Sequence, residues 1–148
     1  MNSSSHEGGC FCGAVRYRVD GQPKSVTHCH CLDCRKVSGA AFLTWIELER
    51  RQFELTRGTP ERLEYESRVV RRFCGACGTP LTYERLKEPE NVDVTLCSLD
   101  DPVAFQPQDH VWADRQLSWA DVGGELPRYS RGRPFPGDAQ PNPRPFDE

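Results

Sequence analysis

Apolar and polar positions alternate along much of the chain, and the period is mostly two. Val15, Tyr17 and Val19 alternate with Arg16 and Arg18, which predicts a half-buried strand ended by Gly21-Gln22-Pro23. Residues 41–48 (AFLTWIEL) are apolar on both faces and rich in aromatic and branched side chains, the pattern of a central strand. Residues 53–55 form a short strand closed by Arg57-Gly58, and residues 63–65 and 69–73 read as a further hairpin. Residues 81–83 follow a Gly-Thr-Pro turn, and Val92, Val94 and Leu96 alternate with Asp93 and Thr95. Helical signal is sparse: residues 32–37, stopped by Ser38-Gly39, and a weaker stretch around 114–117. The expected fold is therefore mostly β, packed antiparallel sheets with one or two short helices.

Composition changes this picture at the two ends. Residues 130–148 (SRGRPFPGDAQPNPRPFDE) hold five prolines and two isolated phenylalanines, too little apolar surface to offset ordering entropy, so they are read as a disordered tail. Residues 1–7 are read as a flexible N-terminus, which leaves a domain over residues 8–129. The opening MNSSSHEGG has neither a basic region nor an apolar run, and no stretch approaches the ~20 apolar residues of a membrane helix. These features point to a cytoplasmic protein with reduced thiols and no membrane partner. The formal net charge is −3, a poor match for a phosphate backbone, so nucleic acid is not an expected partner. No GxGxxG, P-loop or GxSxG motif is present.

Chemistry enters with the cysteines. Seven of the eight fall in tight groups: Cys10-Phe-Cys12, Cys29-His-Cys31-Leu-Asp-Cys34 and Cys74-Gly-Ala-Cys77. In an extended strand residues i and i+2 share a face, so Cys10 and Cys12 can grip one ion, and the C-x-x-C turn at Cys74 and Cys77 makes a second clip. Two such clips build a closed four-cysteine zinc site of structural type, although spacing alone does not dictate which clips pair. Cys29, Cys31 and Cys34 are close enough to hold a second zinc by themselves, and three ligands leave a coordination position open. A zinc with three thiolates is a weak Lewis acid toward water but can bind an external thiol as its thiolate. The pattern thus favours thiol chemistry over hydrolysis.

The remaining candidates are less constrained. Cys97 could close the second site, or serve as a small buried apolar residue. His30, between two ligands of an extended segment, should point away from their metal. It is a candidate for a supporting or proton-handling role, with a structural role as the alternative. Arg35 and Lys36 are candidates for pairing with substrate carboxylates. Trp45, Trp112 and Trp119 are read as core. A non-catalytic zinc-stabilised β module that binds a protein or a small thiol is the competing reading of the same residues.

Three segments carry a resemblance. Gly9-Cys-Phe-Cys-Gly-Ala-Val-Arg-Tyr17, Cys29-His-Cys-Leu-Asp-Cys-Arg-Lys-Val-Ser-Gly-Ala40 and Phe73-Cys-Gly-Ala-Cys-Gly-Thr-Pro-Leu81 resemble the glutathione-dependent formaldehyde-activating enzyme family, also called the centromere protein V family. The likeness extends over roughly residues 8–129, including Leu99-Asp-Asp-Pro102 and residues 110–119. It implies a β-tent fold of antiparallel sheets around zinc. It also implies Cys10, Cys12, Cys74 and Cys77 as structural ligands, and Cys29, Cys31 and Cys34 at a reactive zinc. The implied activity is that of a carbon–sulfur lyase converting S-(hydroxymethyl)glutathione to glutathione and formaldehyde, or the reverse. The implied partners are a glutathione-like thiol and an aldehyde.

Overall fold

The computed structural model describes residues 4–134. Along the chain run β1 (Ser5–Gly9), β2 (Arg16–Asp20), β3 (Ser25–Cys29), α1 (Leu32–Ser38), β4 (Leu43–Glu49), β5 (Phe53–Arg57), β6 (Glu61–Tyr65), β7 (Val69–Phe73), β8 (Pro80–Arg85), β9 (Asn91–Thr95) and β10 (Asp109–Val111). Short 3-10 turns, among them Leu96–Ser98 and Ala113–Arg115, join them. The fold is mostly β, as the alternation predicts. Two compact units are present: residues up to Ser25 with Trp45–Gln106, and Val26–Thr44 with the residues from Pro107 onward.

In the first unit β1, β2 and β5 form an antiparallel three-stranded sheet, and β4, β9, β8, β7 and β6 lie side by side in antiparallel order. Val15 just before β2, and Tyr17 and Val19 on it, face inward, all buried, while Arg16 and Arg18 stay half-exposed. Ile46 and Leu48 on β4 meet Val92 and Val94 on β9 in the same interior. Each such side chain contributes about 1.5–3 kcal/mol of burial. Strand β1 takes in residues 5–7, which the polarity of the sequence assigns to a flexible N-terminus. Two glycines and Glu7 hide it from any apolar pattern, and backbone pairing with β2 creates it.

Gly8 shows how tightly β1 is seated. A Cβ there would lie 2.5 Å from the Tyr17 hydroxyl and 2.6 Å from the Ser98 carbonyl oxygen. The same Tyr17 hydroxyl is hydrogen-bonded to Ser98 Oγ at 2.7 Å, and burial pushes its ionisation well above the usual range. Gly8→Ala should therefore destabilise the protein by about 1–3 kcal/mol, the usual cost of overpacking. A chemical denaturation midpoint equal to wild type would contradict this seating.

In the second unit β10 pairs with β3 in parallel, with His110 opposite His28 and Val111 opposite Cys29. It is a parallel pair within an otherwise antiparallel set of strands. A three-residue parallel strand carries no alternation by which the sequence could announce it. Helix α1 runs close to the predicted residues, from the N-cap Cys31 to a C-cap at Gly39, whose N–H bonds to the Arg35 carbonyl at 2.7 Å. The stretch around 114–117 is only the 3-10 turn Ala113–Arg115. Of the expected tail, residues 130–134 are described and the rest lie outside. Within them Trp112 N–H donates to the Arg131 carbonyl at 2.8 Å, and Arg133 Nε pairs with the buried carboxylate of Asp109 at 2.5 Å.

Candidate metal centres

The first centre lies wholly in the first unit. Cys10 and Cys12 leave β1 on a tight turn in which Gly13 N–H bonds to the Cys10 carbonyl at 3.1 Å and Cys10 N–H to the Val15 carbonyl at 3.0 Å. Cys74 and Cys77 sit on the turn after β7, where Gly78 N–H bonds to the Cys74 carbonyl at 2.7 Å. Gly13 and Gly78 both have positive φ, 81° and 83°, which lets each chain leave its turn directly after the second cysteine. Thr79 joins the two turns: its hydroxyl accepts from Phe11 N–H at 3.0 Å and lies 3.3 Å from Cys77 Sγ.

The four sulfurs lie within 4.8 Å of one another. Cys10 Sγ is 3.6 Å from Cys12 Sγ, and Cys12 Sγ is 3.8 Å from Cys74 Sγ. A tetrahedral ion with Zn–S of about 2.3 Å spaces its sulfurs about 3.8 Å apart, so the donor set fits zinc. The surroundings favour thiolate at Cys77 and Cys10 but not at Cys12. The Thr79 hydroxyl, then its N–H, hold the Cys77 thiol down to about 5. Burial opposes ionisation of Cys10, but the Val15 N–H on its sulfur at 3.2 Å, with Cys74 and Cys12, brings it below the usual value. At Cys12 the Ala14 N–H works downward, yet the neighbouring Cys10 sulfur and burial leave it at about 11. A cation held by the group would offset this crowding of sulfurs.

The second centre lies wholly in the second unit. Cys29 ends β3, Cys31 caps α1 and Cys34 occupies its first turn, and their three sulfurs also lie within 4.8 Å of one another. Cys34 N–H donates to Cys31 Sγ at 3.3 Å, so the same sulfur both caps the helix and faces the group. The Cys29 thiol is pushed far up, by the Cys31 and Cys34 sulfurs beside it and then by burial. This donor set suits a soft divalent cation for the same reason as the first. Cys97 belongs to neither group. It stands exposed in the 3-10 turn Leu96–Ser98, which corrects its reading as a buried residue.

The unit that carries the second centre also holds three histidines, two of which the sequence did not connect with it. His28 lies on β3 and His30 directly follows it, and His110 of β10 packs against both, with ring centroids at 5.0 and 5.1 Å. His30 Nε2 is 2.9 Å from His110 Nδ1, and both side chains are fully buried. His28 Nδ1 is 2.7 Å from Thr44 Oγ1. Burial first, then the charges of His110, His28, Arg128 and Arg35, push His30 down to about 3; burial and Arg128 push His110 down to about 4. Arg35 is half-buried on α1 and Lys36 exposed. Trp45 is buried, but Trp112 and Trp119 are 39% and 73% exposed, contrary to their reading as core. No local signal links His110 to His30 in sequence; the parallel register of β3 and β10 does so.

Fold and site together define a mostly β protein with two thiol groups, each able to hold a metal ion. The chain belongs to the glutathione-dependent formaldehyde-activating enzyme family, whose profile matches residues 5–115. It is 25% identical over 125 residues to a Halomonas elongata protein named "Putative glutathione-dependent formaldehyde-activating enzyme", an alignment covering 78% of this chain and 80% of that one. A solved structure of a Rhodobacter sphaeroides protein superposes with a TM-score of 0.54 at 24% identity, over 64% of this chain and 87% of the other. That likeness concerns the fold. Among the described residues no helix is long and apolar enough to cross a membrane.

Proposed function

We propose that this protein is a zinc-dependent carbon–sulfur lyase acting on thiol–aldehyde adducts of the S-(hydroxymethyl)glutathione type, with residues 8–129 as the working domain. The observation that carries the reading is the pairing of a four-sulfur group with a separate three-sulfur group, one complete for tetrahedral zinc and one a ligand short. In this reading Cys10, Cys12, Cys74 and Cys77 hold a structural ion, and Cys29, Cys31 and Cys34 hold the reactive one. A zinc bound by three thiolates supplies a place where an external thiol is kept as its thiolate.

In the cleavage direction the adduct's C–S bond breaks with its electrons left on sulfur. The hydroxyl proton departs, and the hydroxymethyl carbon leaves as the aldehyde. Arg35 and Lys36, on the helix that carries Cys34, are suited to hold the carboxylates of a glutathione-like thiol. His30, fully buried, is suited to take up a proton at one ring nitrogen only as it gives up the proton on the other, so that no charge is added to the interior.

Zinc content and zinc-edge X-ray absorption, with and without glutathione, test the assignment together with an assay of formaldehyde release. The expected result is two zinc ions per chain, one with three sulfurs and one lighter atom that becomes four sulfurs when glutathione is added. Two four-sulfur sites indifferent to glutathione, with no release of aldehyde, would make the protein a binding module instead.

A further inference from the structure

The His30–His110 pair is satisfied only on its inner side. His30 Nε2 and His110 Nδ1 face each other at 2.9 Å, while His30 Nδ1 and His110 Nε2 are buried and meet no hydrogen-bonding group among the described residues. A neutral imidazole has one N–H and one bare nitrogen. One proton therefore sits between the rings, and of the two outer nitrogens one is a donor and the other an acceptor. Burying such atoms unmatched is costly, so they signal ordered water or a working role. Both rings are fully buried, where a neutral imidazole is far less costly than a charged one.

We propose that His30 and His110 form a neutral proton relay that switches tautomer, with a water molecule held at each outer nitrogen. A proton delivered to His30 Nδ1 releases the one on His30 Nε2 to His110 Nδ1, and the proton on His110 Nε2 leaves to its water. Both rings are neutral before and after, and each has exchanged its protonated nitrogen for the other. Resting on the lyase reading, this relay carries away the hydroxyl proton of the adduct. The C–S electron pair stays on sulfur, the O–H electron pair becomes the second bond of the carbonyl, and the proton exits through His110. The addition reaction runs the same shift backward. His110 is thus a positioning and relay residue that acts through His30.

Nitrogen NMR on the zinc-loaded protein, labelled at histidine, tests the relay directly. Both rings should appear neutral, with both tautomers populated and with ring N–H protons exchanging with water. One fixed tautomer for each ring, or ring protons isolated from water, would overturn the proposal. His110→Gln keeps a hydrogen bond to His30 but cannot pass a proton. It should retain zinc content, lock His30 in one tautomer, and lower kcat for adduct cleavage at least about tenfold with KM unchanged. A variant with wild-type kcat would refute the relay while leaving the lyase reading intact. A wild-type protein that cleaves no adduct would sink the lyase reading, and the tautomer measurement on that same protein, which needs no variant, would still decide the relay.

Discussion

Replacing Cys10 with serine should remove one zinc ion per chain and abolish cooperative unfolding of the unit that holds it. Cys10 is buried, its sulfur lies 3.6 Å from Cys12 Sγ, and it also receives the Val15 N–H at 3.2 Å. Structural zinc contributes about 10–16 kcal/mol in small metal-dependent domains, as much as or more than the whole ~5–15 kcal/mol stability of an ordinary domain. The effect is large because the site ties the turn between β1 and β2 to the turn after β7, and β1 and β7 belong to different sheets. Metal analysis and thermal denaturation followed by circular dichroism measure it. A serine variant that stays folded with two zinc ions would falsify the assignment of Cys10 to a structural site.

The second large effect is expected at Cys31, and here two substitutions should separate two roles of one sulfur. Cys31 Sγ belongs to the three-sulfur group and also accepts the Cys34 N–H as the N-cap of α1. Serine is a good N-cap, so Cys31→Ser should keep the helix while losing one zinc ion and, with it, adduct cleavage by on the order of 10³-fold or more. Alanine removes the cap as well, and Cys31→Ala should be less stable than Cys31→Ser by about 1 kcal/mol. Zinc content, kcat/KM and denaturant midpoints report the three quantities separately. Equal stability of the two variants would show that the cap contributes nothing; unfolding of Cys31→Ser would move this group to a structural role.

The individual cysteine clips are legible in the sequence because the geometry of each is local, whereas the pairing of the two clips across 62 residues is not. An i, i+2 pair on a strand, a C-x-x-C turn, and a cysteine in the first turn of a short helix all converge within a few residues. Strand β2 was equally legible, since Val15, Tyr17 and Val19 are buried in strict alternation. What escaped were features made by partners distant in sequence. β1 owes its existence to pairing with β2, β3 has too few apolar positions to show a period, and the three residues of β10 gain strand geometry from parallel pairing with β3. The histidine cluster escaped with them, because only that pairing brings His110 to His28 and His30. Cys97 and the two exposed tryptophans were misjudged for a related reason. Apolar character marks what can be buried, but it does not say which side chain the packing leaves outside.

The two thiol groups differ in how much chain must exist before they can form. Cys29, Cys31 and Cys34 span six consecutive positions, whereas Cys12 and Cys74, whose sulfurs meet at 3.8 Å, stand 62 residues apart. A growing polypeptide can therefore capture metal at the three-cysteine stretch while the second clip of the other group is still unmade, and the ion that completes the four-sulfur site must close a long loop when it arrives. In the zinc reading proposed above, metal scarcity during synthesis would fall hardest on the four-sulfur group. Chains made under such scarcity should leave the ribosome with the local group loaded, the distant one open, and degradation as their fate.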